Sequence, residues 1–217
     1  MNGAARTGTR DIARAAVRAE LARVAFDLFR QQGFDNVTLS DLAAAAGVSR
    51  STFLRYFGSK EDAVLSAFDA QGDQVADTLR ARPADEDDWT ALRRALDTLL
   101  EQYRLDPVGA LAMTRLVFDT PDLCARRLEK QHGWRPALAQ ALAERSNPAQ
   151  LTTLGHSVRA AAALDCLNVA LDHWSASDGQ LDLVDILDEA FAALAPRRAG
   201  TTDSRAVVCT TFSPRPS

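Results

Sequence analysis

The 217-residue chain is short of cysteine, histidine and lysine: it has three cysteines, three histidines and two lysines among its 25 basic residues. It also lacks any apolar run near the roughly 20 residues a membrane span requires, so no membrane association is expected. Cys124, Cys166 and Cys209 show no paired spacing, which points to a reducing cytoplasm rather than a disulfide scaffold. The opening stretch MNGAARTGTRDIARAAVRAE is charged but has no hydrophobic core, so secretion is not expected. His132, His156 and His173 are too scattered for a metal cluster, and neither HExxH nor CxxC spacing occurs. A GxSxG elbow, a P-loop and a GxGxxG following a strand are missing too. The chain is therefore expected not to be an enzyme and to hold no metal or cofactor. No strand pattern precedes residue 205, and the fragment 206–212 has too little strand propensity to stand as structure. An all-α fold is the consequence.

Residues 38–64, TLSDLAAAAGVSRSTFLRYFGSKEDAV, are the most informative segment. Thr38 followed by Asp41 can form a capping box. The helix it opens carries Leu39, Leu42, Ala43 and Ala46 as a narrow apolar stripe. Gly47 permits an abrupt end, and Ser49 is the next N-cap. A second helix from Arg50 to about Phe57 would be roughly 12 Å long at 1.5 Å per residue. The major groove of B-DNA is about 12 Å wide and admits one helix. Phe53 and Phe57, four apart, anchor this helix to a small core, leaving Arg50, Ser51, Thr52, Leu54, Arg55 and Tyr56 on its other faces. Charge is segregated accordingly: residues 1–60 carry nine Arg or Lys against five Asp or Glu, a net of +4, and the remainder sixteen against twenty-four, a net of −8. Positive charge beside a groove-sized helix on an acidic chain suits approach to phosphate.

Several phrases carry a family likeness, in order and at the right spacing: QQGF at Gln31 to Phe34, then Thr38, AGVS ending at Ser49, Thr52-Phe53, Tyr56-Phe57, and SKE at Ser59 to Glu61. Through them residues 15–65 closely resemble the TetR family of bacterial transcriptional regulators. Beyond residue 65 the likeness is one of length and helical layout. The resemblance implies a three-helix, homeodomain-like DNA-binding head over residues 1–60, with 1–10 as a flexible leader. It also implies a larger helical effector-binding and dimerisation domain over 61–195, with 196–217 as a disordered tail. About nine helices are expected in total.

The remaining segments read as helix. The first runs from about Asp11 to Gln32 with Val17, Leu21, Val24, Ala25 and Leu28 on one face and Gly33 as its stop. A fourth runs from Lys60 or Glu61 towards Pro83, softened at Gly72. Others begin after the acidic run 83–88, at Asp106-Pro107, and at Thr120-Pro121, the last kinked or divided near Pro136. Asn147-Pro148 opens a long helix to about Trp174, and Asp182 to Leu194 form the last. Val158, Ala160 to Ala163, Leu167 and Leu171 on one, with Leu183, Ile186, Leu187, Ala190, Phe191 and Leu194 on the other, offer more apolar surface than one packed face requires. A homodimer through the segments 149–174 and 182–194, as a four-helix bundle on a two-fold axis, is expected from both pattern and resemblance.

The resemblance assigns roles residue by residue. Arg50 and Arg55 are candidates for guanine edges, Ser51 and Thr52 for bases or phosphates, and Tyr56 and Lys60 for backbone phosphate. Thr38 and Ser49 can donate to phosphate as well as cap. Leu54 stands where the family often has an aromatic, so an apolar contact with a thymine methyl would replace a hydrogen bond. Arg6, Arg10 and Arg14 form either an arm along the minor groove or a solvated leader. A small-molecule effector, hydrophobic in character, is expected between the middle helices, with Tyr103, Met113, Arg115, Phe118, His132, Trp134, Asp165 and Asn168 as pocket candidates. The reading is a ligand-responsive repressor that binds a palindromic operator on double-stranded DNA as a dimer. The competing readings are an architectural DNA-binding protein without ligand control and a helical small-molecule carrier with a vestigial head.

Overall fold

The computed structural model describes residues 8–66, 68–145 and 152–195, with the backbone alone at Asp11. The expectations for Arg6, for Asn147-Pro148 as a helix start, for Cys209 and for the tail fall outside them. Among the described residues the fold is twelve helices and no strand. The head comprises α1 (Thr9–Gln32), α2 (Leu39–Ala45), α3 (Arg50–Tyr56) and α4 (Lys60–Val64). The body comprises α5 (Phe68–Ala81), α6 (Asp88–Ala95), α7 (Asp97–Leu105), α8 (Pro107–Asp119), α9 (Pro121–His132), α10 (Arg135–Arg145), α11 (Thr153–Ala176) and α12 (Leu183–Leu194).

Twelve helices replace the expected nine because three of the expected ones divide. The fourth breaks at Leu65 and Ser66, where the amide of Phe68 bonds back to the Leu65 carbonyl in a tight turn. The fifth hitches at Leu96, whose amide is shared between the carbonyls of Leu92 and Arg93. The seventh divides at Gly133, the C-cap of α9, and Pro136 then occupies the first turn of α10, where a missing N–H costs nothing. The first helix starts at Thr9, so Arg10 belongs to it and not to a flexible leader. Its inward face also differs: Phe29 is buried and Val17 is exposed.

Local chemistry explains where the elements start. The capping box of Thr38 and Asp41 is complete, and Gly47 ends the α2 turn at φ +66°, a conformation that penalises a side chain. Ser49, Ser59, Asp87, Asp106, Thr152 and Asp182 each accept an amide hydrogen bond at the N-terminus of the helix that follows.

Two hydrophobic clusters result. The head's cluster joins Leu21, Ala25, Phe29, Phe34, Val37, Leu42, Phe53, Phe57, Val64 and Leu65, and it also takes in Val117 of α8 and Leu123 of α9. In the body, α10 lies between α5 and α11, and α12 packs along α11. Its cluster includes Leu79, Leu92, Leu100, Trp134, Leu138, Leu142, Leu164, Leu167, Trp174, Leu187 and Phe191. Phe68 packs against both clusters. Gly72 does not soften α5; it is buried there, and Trp134 of the connection before α10 fills the space a side chain would need.

Ion pairs reinforce the junction of head and body. Asp69 on α5 accepts from Arg18 on α1 and from Lys130 on α9, while Asp62 on α4 pairs with Arg126 and Lys130 of α9. The head thus rests on α8 and α9 through both its apolar core and its charges.

Candidate DNA interface and effector cavity

On α3, Phe53 and Phe57 are buried with ring centroids 5.2 Å apart, and this pair sets which faces of the helix are free. Arg50, Ser51 and Arg55 are exposed, and Thr52, Leu54 and Tyr56 are half-exposed. Neither Arg50 nor Arg55 has a carboxylate within ion-pair distance among the described residues, and the helix itself contains no acid. The Arg55 guanidinium lies 5.9 Å from the Tyr56 ring centroid, which limits its rotamer freedom. Arg10 and Arg14 of α1 come to the same place, lining a shallow depression with Arg55 and Tyr56. They are helical side chains beside α3, neither an arm nor a leader.

The hydroxyls are already engaged. Ser49 Oγ accepts the Thr52 amide at 3.1 Å and lies 2.9 Å from Thr52 Oγ1 and 3.0 Å from Ser51 Oγ. Thr38 Oγ1 donates to Asp41 at 2.6 Å, and this bond is the main cause holding the Asp41 carboxyl below its usual range. Lys60 is tied inward: its Nζ donates to the Phe34 carbonyl at 3.1 Å and stands 4.1 Å from the centroid of the Phe34 ring. It is half-buried, so it braces the α1–α2 connection at the edge of the α3 face.

A cavity of about 280 Å³ lies between head and body. Its lining includes Phe26 of α1, Val64 of α4, Phe68 of α5, Tyr103 of α7, Met113, Thr114, Val117 and Phe118 of α8, Arg127 of α9 and Leu171 of α11. Of the residues named from sequence, Tyr103, Met113 and Phe118 line this cavity. Burial pushes the Tyr103 phenol pKa up, with a hydrogen bond to Thr114 acting against the shift. The other candidates fall elsewhere. Arg115 pairs with Asp178 at the surface, and His132 is exposed in the last turn of α9. Trp134 is a core residue packed between Gly72 and Phe68, because the bare glycine lets it approach α5. Asp165 is exposed on the outer face of α11. Asn168 is one layer behind the cavity, accepting a 2.7 Å hydrogen bond from Arg127.

Arg127, Phe26 and Phe68 were not singled out by the sequence. The available signal was the spacing of Leu123, Arg127 and Gln131, four apart and all buried, which puts a charged and a polar residue on the inward face of α9. The adjacent Arg126 obscures it, since a pair of arginines reads as solvated surface. A wider groove of about 570 Å³ between α6, α7 and α12 is lined by Arg93, Arg94, Asp97, Glu101, Arg104 and Asp188, several of them already paired, and looks onto solvent.

Among the described residues no helix is long and apolar enough to cross a membrane, and no group of three or more His, Cys, Asp or Glu could hold a metal ion. The model for bacterial regulatory proteins of the tetR family matches residues 21–67, and that for the MftR C-terminal domain matches residues 86–199. The chain is 34% identical over 134 residues to the HTH-type transcriptional regulator TcmR of Streptomyces glaucescens, covering 59% of each chain. It is 30% identical over 177 residues to a protein of Mycobacterium tuberculosis named for the regulation of mycofactocin biosynthesis, MftR, covering 79% of this chain and 85% of that one. The match to TcmR thus spans under two thirds of that relative's length. Among solved structures, Thermus thermophilus FadR, a TetR-family transcriptional repressor in complex with lauroyl-CoA, superposes with a TM-score of 0.56 at 23% identity, covering 84% of this chain and 97% of that one. With an outward basic helix on a four-helix head, and family models matching both head and body, the chain belongs to the TetR family of bacterial transcriptional regulators and is a DNA-binding, helix-turn-helix protein whose regular structure, among the described residues, is all helical.

Proposed function

We propose that the protein is an effector-responsive repressor, acting in the cytoplasm as a homodimer on a palindromic operator. The observation that carries the reading is the shared wall between cavity and head. Val64 and Val117 line the cavity and belong to the head's hydrophobic cluster, and Phe68 bridges the two clusters. Interiors are close-packed and respond to inserted volume by discrete shifts, so a molecule in this cavity displaces the elements that hold α3. It switches binding only if it prefers the arrangement that fits DNA poorly. The TetR-family neighbour from Thermus thermophilus, solved in complex with lauroyl-CoA, is in keeping with ligand control.

Dimerisation through α11 and α12 is supported by what these helices leave uncovered. Leu154, Val158 and Val169 on α11 and Leu194 on α12 are all more than half exposed in the single chain. With Ala162 and Asp165, the three α11 residues form a stripe at helical spacing on the outer side of that helix. Two copies joined there carry two α3 helices, and a two-fold protein axis calls for a two-fold operator.

Footprinting and fluorescence anisotropy with the DNA upstream of the protein's own gene test the reading. A specific regulator binds its site about 10³-fold or more tighter than scrambled duplex at physiological salt, and a reporter placed behind that site is silenced. Equal affinity for every duplex would instead identify an architectural DNA-binding protein.

A further inference from the structure

One group in the cavity wall is a cation with no carboxylate partner among the described residues. Arg127 is only 4% exposed. Its Nη1 donates to a neutral acceptor, Asn168 Oδ1, at 2.7 Å; its Nε has no hydrogen-bond partner among the described residues; and its guanidinium carbon stands 4.7 Å from the centroid of the Phe118 ring. Among the described residues no carboxylate lies within 4.0 Å of it. Acids are not scarce nearby, since the preceding residue, Arg126, engages both Asp62 and Glu129. Asp106, the acid in the cavity lining, is exposed and spends Oδ1 on the Gly109 amide. A buried guanidinium met by an amide oxygen, the Cys124 thiol and an aromatic face, with no carboxylate beside it among the described residues, is costly to maintain. Burial also draws the Arg127 pKa down, the direction expected of a cation short of a partner, with Cys124 and Tyr103 acting against the shift.

We propose that the cavity takes an amphipathic anion, an aliphatic or arylalkyl carboxylate, with its charged end on Arg127 and its chain among Phe26, Phe68, Met113 and Leu171. This rests on the reading of the cavity as the effector site and adds the chemical class of its occupant. The guanidinium fork matches a carboxylate in two parallel hydrogen bonds. The Tyr103 phenol, kept protonated by burial, supplies a further donor within the same wall. Gln71, Gln102, Asp106 and Thr114 are the other polar residues of a lining that is apolar elsewhere, and about 280 Å³ corresponds to some nine water molecules at about 30 Å³ each, room for a medium-length chain but not a bulky one. Asn168 is a positioning residue: by accepting from Nη1 it holds the guanidinium at the cavity wall. Arg127 also sits on α9, whose Leu123 enters the head's core and whose Arg126 and Lys130 grip Asp62 and Asp69. Pairing its charge therefore acts on the helix that supports the head.

Titration calorimetry on the full chain tests this with octanoate against 1-octanol, 4-phenylbutyrate against 4-phenylbutanol, and octanoyl-CoA. The wild type is expected to bind each acid at least tenfold more tightly than its alcohol, a difference of 1.4 kcal/mol. Arg127→Met should bind the alcohols no worse and lose the preference for acids, Arg127→Lys should keep part of it, and thermal unfolding should show Arg127→Met to be folded. Acid and alcohol bound equally by the wild type, or a preference that survives in Arg127→Met, overturns the proposal and leaves the cavity as an effector site for a neutral molecule. Octanoyl-CoA, whose thioester is uncharged, bound more tightly than octanoate and equally by both proteins, overturns it in the same way. No heat with any probe at two temperatures, where a heat-capacity change would reveal apolar binding, overturns the proposal.

Discussion

Trp134 occupies the space that a side chain on Gly72 would need, so that a Cβ built there would lie within 2.8 Å of three indole atoms. Glycine inside a helix normally costs about 0.5–1 kcal/mol relative to alanine. Here the sign reverses, because the added methyl has to push a buried indole away from Phe68. Gly72→Ala is expected to destabilise by about 1–3 kcal/mol, as overpacked cores do. Urea unfolding checks it, and in a Trp134→Leu background the same substitution should cost much less. A rise in stability on Gly72→Ala alone would refute the packing argument.

Arg55 and Lys60 are expected to separate sequence reading from general affinity. Arg55 is exposed, lies over the Tyr56 ring and has no ion-pair partner among the described residues, so Arg55→Ala should cost about 1–3 kcal/mol on the specific operator and much less on random duplex. Lys60 is half-buried and holds the Phe34 carbonyl, so Lys60→Ala should weaken binding to all sequences and also lower the melting temperature. Anisotropy titrations at several salt concentrations, with melting curves alongside, distinguish the two. Loss of specificity in Lys60→Ala with intact stability would reverse the assignment.

The outer stripe of α11 should decide assembly. Val158 and Val169 are 57% and 52% exposed in the single chain, so Val158→Asp with Val169→Asp leaves the fold of one chain intact. Sedimentation is expected to show a monomer where the wild type is a dimer. Operator affinity should fall by more than tenfold while circular dichroism is unchanged. A dimer that persists would place the interface elsewhere.

Asp69 ties the head to the body in a pH-dependent way. Burial alone would raise its pKa, but hydrogen bonds from Lys130 and Arg18 outweigh this, and the net shift is downward. A carboxyl whose pKa is lower folded than unfolded stabilises the fold above the unfolded value, near pH 4, and loses that contribution as pH falls through the folded value. Asp69→Asn should therefore lower stability at neutral pH, by under about 1 kcal/mol because the pair is partly solvated. The gap between variant and wild type should close below about pH 4. Melting temperatures across pH 2.5–8 test this, and a gap that widens on acidification would contradict the sign.

The elements near the DNA face were legible because their signals are local. Thr38 with Asp41, Gly47 and Ser49 act within one helical turn of their own positions, and the four-residue spacing of Phe53 and Phe57 alone determines which way Arg50 and Arg55 point. Periodicity also located most body helices, although it could not foresee the hitch at Leu96 or the turn at Leu65, where burial on successive helices overrides continuity. The cavity is different. Its wall draws on α1, α4, α5, α7, α8, α9 and α11, so an apolar stripe in the sequence shows that a side chain is covered without showing by what. That is why, of the residues named from sequence, Tyr103 and Phe118 line the cavity, His132 and Asp165 are exposed, and Trp134 is packing for a glycine 62 positions earlier. Sequence by itself determined the helices, their caps and the outward basic face, all properties of neighbours along the chain. Only the tertiary structure decided that Arg127 is buried with no carboxylate beside it among the described residues, because that depends on which distant helices close around it.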